Sequence, residues 1–212
     1  DGLRPLNRSS ALQFSTQFGL GGEWYPSSNF SLVGEFVYAT SQFKFSESIF
    51  ESDRLTFVEK QQWLSFPISL RYYFGQKNKT RIFAELGGSV NLLQQSTASA
   101  ERLVISTKDV SGPDIDVKTL RNETNYAASA GVGLRKSLGQ MMLYFKLGLK
   151  YDILIQNNPD QRYSNDELIF QYGYVDEDFR VLTPSISVGL NYAFYAHKRK
   201  KSRIEKATPS NQ

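Results

Sequence analysis

The sequence predicts an all-β fold, an antiparallel up-and-down β-barrel that crosses a membrane, with seven strands evident and eight when complete. Three observations predict it. First, residues repeat with period two over stretches longer than ordinary strands. Leu12, Phe14, Thr16, Phe18, Leu20, Gly22 and Trp24 alternate with Gln13, Ser15, Gln17, Gly19, Gly21 and Glu23. Successive strand side chains point to opposite faces, so one face is greasy and the other small or polar. Ordinary strands run about 5–6 residues, whereas a tilted bilayer-crossing strand needs roughly 9–11. Second, the connections alternate short and long, as in barrels with tight turns at one end and long loops at the other. Third, no run approaches the roughly 18 apolar residues of a transmembrane helix.

The elements follow in order. The first strand is read over residues 11–25 and ends in the turn signal Pro26-Ser27-Ser28-Asn29. The second covers residues 30–45, with Phe30, Leu32, Gly34, Phe36 and Tyr38 on one face. Its other face is less clean, because Val33 and Val37 join Glu35 there. Polar residues 46–54 read as a loop. The third strand, residues 57–74, sets Leu64, Phe66, Ile68, Leu70, Tyr72 and Phe74 against Ser65, Pro67, Ser69, Arg71 and Tyr73. Pro67 removes a ladder donor, so a bulge or a locally open edge is expected there. A turn over 75–80 leads to the fourth strand, residues 81–94. Residues 95–124 read as a long loop. The fifth strand (125–136) and the sixth (141–153) flank the tight turn 137–140. A second long loop runs to about residue 179, and the seventh strand carries Leu182 to Phe194 on one face.

The first and last of these strands both run from the loop end to the turn end. An up-running strand is therefore missing from an even-numbered barrel. It is expected upstream of Asp1; a strand from a partner chain, or residues 168–175 crossing the membrane, are the alternatives. The expected layout is 1–9 as a loop or remnant, 10–195 as the barrel and 196–212 as a basic tail.

The composition fits one domain of 212 residues with a net charge of +4, much of it in the tail His197-Lys198-Arg199-Lys200-Lys201. With 0 Cys, disulfides and Cys-based metal sites are impossible. A mean hydropathy of -0.40 is compatible with a barrel, because lumen residues and loops dilute the lipid-facing half.

The polar face carries Glu23, Glu35, Arg71, Glu85, Arg135, Lys146, Lys150 and Asp152, four acidic and four basic. Most lie close to the short-turn end, and at roughly 3.3 Å per residue they can meet in one layer. An eight-stranded barrel has an interior just wide enough for side chains to fill. Charges inside it must be paired, so this set predicts a salt-bridged plug rather than an open pore. The aromatics Trp24, Tyr25, Phe30, Tyr72, Phe74, Tyr192 and Phe194 gather beside the short turns and predict a membrane-interface girdle.

With the strands placed, the chain resembles the small outer-membrane β-barrels of Gram-negative bacteria, the OmpA-like, OmpX-like and PorT-like families. The residues that carry the likeness are Phe66-Pro67-Ile68-Ser69-Leu70-Arg71-Tyr72-Tyr73-Phe74, Ala84-Glu85-Leu86-Gly87-Gly88, Ala130-Gly131-Val132-Gly133-Leu134 and Gly189-Leu190-Asn191-Tyr192-Ala193-Phe194. The phrase around Pro67 is most similar to the PorT-like group. The resemblance implies an outer-membrane location, contact with membrane lipid and lipopolysaccharide, and service as an anchor, secretion component, adhesin or small channel.

Catalysis finds no support. The lone His197 lies in the tail beyond the last strand, so a His-based pair at the loop end is impossible. Asp114 with Asp116, and Asp176 with Asp178, read as solvated loop acids rather than a cation site. No phosphate-cradling loop opens a helix. The expectation is a non-enzymatic barrel without cofactor, metal or nucleic-acid partner, serving as a structural or interaction subunit of a secretion or envelope-assembly complex. Loops 95–124 and 155–179 are the expected recognition surfaces. A narrow passive channel and a soluble lipocalin-like ligand-binding barrel are the alternatives.

Overall fold

The computed structural model describes residues 8–11, 15–50, 53–75, 80–104, 110–112, 114–161, 163–166, 168–169 and 178–192. The strands are β1 (Arg8–Ala11), β2 (Thr16–Trp24), β3 (Phe30–Phe50), β4 (Asp53–Phe74), β5 (Arg81–Val104), β6 (Val110–Ser111), β7 (Ile115–Asp116), β8 (Thr124–Leu138), β9 (Met141–Asp152) and β10 (Leu182–Tyr192). All belong to one sheet. Its long strands follow chain order, β2-β3-β4-β5-β8-β9-β10, each antiparallel to the next. The short β1 continues the line of β2 along β3, while β6 and β7 pair back onto β5. Residues 8 and 9, expected in a loop, are therefore strand.

The sheet curls into a half-barrel. Its edges are β2 and β10, and among the described residues neither has a second strand beside it. Both edges run from the loop end to the turn end. They approach each other there, since Asn191 on β10 donates to Glu23 on β2 at 2.8 Å. The expected upstream strand and the basic tail lie outside the described residues. So does most of the 168–175 segment, of which Leu168 and Ile169 are not in a strand.

Three strands are longer than the sequence pattern suggests. β3, β4 and β5 have 21, 22 and 24 residues. Residues 46–50, 53–54 and 95–104, expected as loop, are the loop-end halves of these hairpins, paired from Ser46↔Thr56 to Asp53↔Val104. For 95–104 the reason lies in a β-bulge. Gln62 pairs with Gln95 and Trp63 with Leu93, so Gln94 is an extra residue and the side-chain phase slips by one. Ser96 and Ala98 then face inward, where unbroken alternation would have pointed them out. Pro67 is accommodated without a bulge. The β3–β4 ladder skips from Gly34↔Ile68 to Val37↔Ser65 in unchanged register, and Pro67 stays paired with Ser89 on β5. Pro184 sits on the edge strand β10, where a missing donor costs least.

The concave face takes the polar set and the convex face the apolar one. Inward residues such as Ser31, Ser65, Ser69, Arg71, Tyr73, Phe83, Glu85, Asn91 and Asn125 are buried. Phe18, Leu20, Leu32, Phe36, Ile68, Leu86, Val132, Leu147, Ile186, Val188 and Leu190 point outward and are exposed. Glycines make the concave packing possible. Gly19, Gly21, Gly133 and Gly189 lie directly across from Val37, Glu35, Phe83 and Tyr144. A Cβ at any of the four would run into that partner, reaching 2.8 Å from Val37 Cγ2 and 2.7 Å from Glu35 Cγ. Val37, Glu35, Phe83 and Tyr144 thus each lie over a glycine on a neighbouring strand.

Candidate functional site

The concave face is organised in layers. At the turn end, β8 and β5 place Arg135 opposite Arg81. Like charges in register would repel, and aromatic faces separate them. Arg135 donates to the Tyr25 hydroxyl at 2.5 Å and lies 4.9 Å from the Tyr73 ring centre, with Arg81 4.8 Å from the same ring. Arg81 also donates to the Ser28 carbonyl at 2.9 Å, tying the first short turn to β5.

The next layer is an ion-pair cluster. Arg71 on β4 faces Glu85 on β5 in register. Its Nε and Nη2 donate to one carboxylate oxygen at 2.8 and 2.5 Å, and Lys146 Nζ donates to the other at 2.8 Å. Arg71 Nη1 reaches Glu23 at 3.4 Å. Glu23 also accepts hydrogen bonds from Ser31, Tyr73 and Asn191. The Phe83 ring lies 4.4 Å from the guanidinium carbon. Two acids and two bases from β2, β4, β5 and β9 thus form a neutral cluster largely removed from water, the arrangement in which a desolvated charge is tolerable.

The other four charges expected in this network lie apart from it. Arg135 is beyond Phe83, in the aromatic layer. Glu35 lies over Gly21 on the edge strand, and among the described residues neither it nor Lys150 makes an ion pair. Lys150 stands between Ser129 and Thr183 in register, nearer the loop end. Asp152, buried at the end of β9, accepts from Gln156 instead.

A second buried ion pair closes the loop end, and the sequence reading did not anticipate it. Glu59 on β4 and Arg121, just past a short 3-10 turn (Lys118–Leu120), are both fully buried. Arg121 Nε and Nη2 donate to the two carboxylate oxygens at 2.8 and 2.5 Å. Ser96 Oγ and Gln61 Nε2 donate to Glu59 at 2.7 Å each, and the Trp63 indole donates to Gln61 at 2.9 Å. Burial pushes the Glu59 carboxyl up, but the Arg121 charge and these donors outweigh it and hold the group below the ordinary carboxylate range. The signal was the continued alternation Phe57, Glu59, Gln61, Trp63. Arg121, alone in a polar stretch, gave none. Among the described loop acids, Asp114, Asp116 and Asp178 are exposed; Asp116 also accepts from the Lys118 amide at 2.9 Å, and Asp178 from Asn157 at 2.8 Å. Among the described residues no three His, Cys, Asp or Glu side chains converge as a metal site.

On the convex face, apolar residues form a band across every long strand. β10 has 11 residues. At roughly 3.3 Å each and a tilt of about 40°, such a strand reaches roughly 28 Å along the barrel axis, close to the height of a membrane-barrel apolar band. At the turn end, Trp24, Phe30, Phe74 and Tyr192 are exposed, and Phe30–Tyr72 and Tyr72–Phe74 meet edge-on at 4.8 Å; Tyr25, expected in this girdle, instead turns to the concave side, against Tyr73 and Arg135. Phe194 lies outside the described residues. Tyr126 and Tyr151 also face outward, nearer the loop end, as does Tyr38 on β3, packed against the exposed Phe18. This second aromatic row was not anticipated. Past it the outward residues turn polar, with Thr40 and Gln42 on β3 and Gln62 and Lys60 on β4.

No family model, curated protein or solved structure matches this chain.

Proposed function

We propose that the chain is a non-enzymatic outer-membrane β-barrel protein, eight-stranded when complete, with a plugged polar lumen. In this reading it serves as a structural or interaction subunit, in a secretion or envelope-assembly complex of a Gram-negative cell. One observation carries it: the long strands turn apolar residues outward, while on the opposite face Glu23, Arg71, Glu85 and Lys146 from four strands pair with one another away from water. Exposed apolar area on this scale is at home against lipid, not water. It also weighs against a soluble ligand-binding barrel, which would carry its greasy face inside. The buried Arg71 cluster weighs against a narrow channel. An interaction role suits the loop-end halves of β3, β4 and β5, which rise beyond the band as a rigid platform for loops.

Reconstitution into lipid vesicles tests the membrane reading. Fluorophores attached to single cysteines at Leu86 and Ile186 are expected to be quenched by lipid-borne quenchers, and the same unlabelled cysteines to be shielded from water-soluble thiol reagents in vesicles. Shielding from lipid at both sites would refute it. In planar bilayers the protein is expected to pass no substantial single-channel current; a steady current would replace the plug with a channel. Copurification from native membranes in mild detergent tests the subunit role, and a chain that always emerges alone would refute that part.

A further inference from the structure

Between the two ion-pair layers the concave face changes character. Ser65, Asn91 and Asn125 stand in register on β4, β5 and β8, all inward and buried. Ser65 Oγ and Asn91 Nδ2 have no hydrogen-bond partner among the described residues. Neighbouring buried polar atoms left unpaired mark a place that water or a small polar solute fills. The Arg71–Glu85 cluster lies on the turn-end side of this row. Trp63 and Leu93 lie on the loop-end side, and beyond them the Glu59–Arg121 pair.

The element that supplies Arg121 is lightly attached. β7 has two registered pairs with β5, Thr97↔Asp116 and Ala98↔Ile115. Val117 donates its amide to the Ser96 carbonyl at 3.0 Å, and Val117 and Leu120 bury their side chains. Residues 121–122 are in turn tied to the next connection, by the Arg121↔Asn157 bridge and by Asn122 Nδ2 donating to the Ile155 carbonyl at 2.9 Å. A strongly held charge pair thus secures a segment whose own backbone pairing is short.

We propose that residues 115–121 are a latched cap over the loop-end mouth. Its Glu59–Arg121 latch encloses a hydrated polar compartment around Ser65 and Asn91. Release of the latch admits water and small polar solutes as far as the Arg71 plug. The proposal rests on the plugged-barrel reading.

The test uses the absence of native cysteine. Asn91→Cys reports on the compartment in vesicle-embedded protein, probed with a small charged methanethiosulfonate. Labelling is expected to be slow with the latch intact. Adding Glu59→Gln should speed it at least about tenfold, the factor equal to about 1.4 kcal/mol. Should Glu59→Gln fail to fold, a disulfide between Thr97→Cys and Asp116→Cys clamps the cap directly. Asn91→Cys should then react more slowly with the clamp oxidised than reduced. Equal rates across clamp states, unchanged labelling in folded Glu59→Gln protein, or fast labelling with the latch intact would each overturn the cap. Leu86→Cys separates the two readings, because its labelling from water would overturn the barrel rather than the cap.

Discussion

Arg71→Met removes the one cation that touches both buried acids of the turn-end cluster. The guanidinium is 1% exposed and lies 2.5 Å from Glu85 and 3.4 Å from Glu23. At an effective dielectric of about 20, unit charges roughly 3 Å apart attract by roughly 5 kcal/mol, before the cost of desolvating them is subtracted. Removing one partner of a buried pair costs about 3–5 kcal/mol, because the other charge stays buried without compensation. Glu85 keeps Lys146 at 2.8 Å, so the stranded charge is that of Glu23. Arg71→Met should therefore lower the unfolding free energy by about 3–5 kcal/mol. Adding Glu23→Gln removes one charge of each sign and leaves the Glu85–Lys146 pair. The double variant should recover roughly half of the loss, a favourable coupling between neighbours. Urea unfolding in lipid vesicles reads both, with Trp24 reporting on the outer turn end and Trp63 on the interior. A cost below about 1 kcal/mol, the range of solvated surface pairs, would refute the buried-plug argument. So would a double variant less stable than Arg71→Met alone.

Other perturbations follow from the same geometry. Gly133→Ala drives a Cβ into the Phe83 ring and should cost about 1–3 kcal/mol in the same assay, whereas Gly88→Ala, 3.4 Å from its nearest neighbour, should be close to neutral. Leu86→Lys, in the middle of the convex band, should cost about 2–4 kcal/mol in vesicles, and Leu138→Lys at the turn end about 0–1; equal costs would sink the membrane reading. Glu59 lies beyond the band and its carboxyl is held low in the folded state. Its contribution is present above the ordinary carboxylate pKa and is lost as pH falls through the depressed folded value. The stability gap between wild type and Glu59→Gln should therefore narrow as pH falls from neutrality into the acid range, and a gap independent of pH would refute this.

Much of the sheet is legible in the sequence because alternation on a curved sheet has one physical meaning. Glu23, Arg71, Glu85 and Lys146 were found on the polar face near the short turns, and register brings them together. Glu35 and Arg135 look equivalent in a list but differ in their neighbours. One leans onto a glycine and the other faces a second arginine. No single-strand pattern carries that information. The loop-end half of β5 was missed where one added residue, Gln94, reversed the phase and made inward serine and alanine look like loop, and those of β3 and β4 because Ser46, Glu47, Ser48, Asp53 and Arg54 make a polar stretch. Arg121 was missed for another reason. Its partner is 62 positions away along the chain, and nothing near it in sequence demands a cation.

The common direction of β2 and β10 limits how copies of this chain could assemble. Molecules inserted the same way up in one bilayer offer each other edges that point the same way. Backbone pairing between them would be parallel, the weaker geometry per residue, with one donor absent at Pro184. Soluble sheets guard an open edge with lysine, proline or a bulge. Were β2 and β10 left open rather than covered by the eighth strand of the proposed barrel, a shared insertion direction would disfavour edge-to-edge multimers, although both edges are apolar on their outer side.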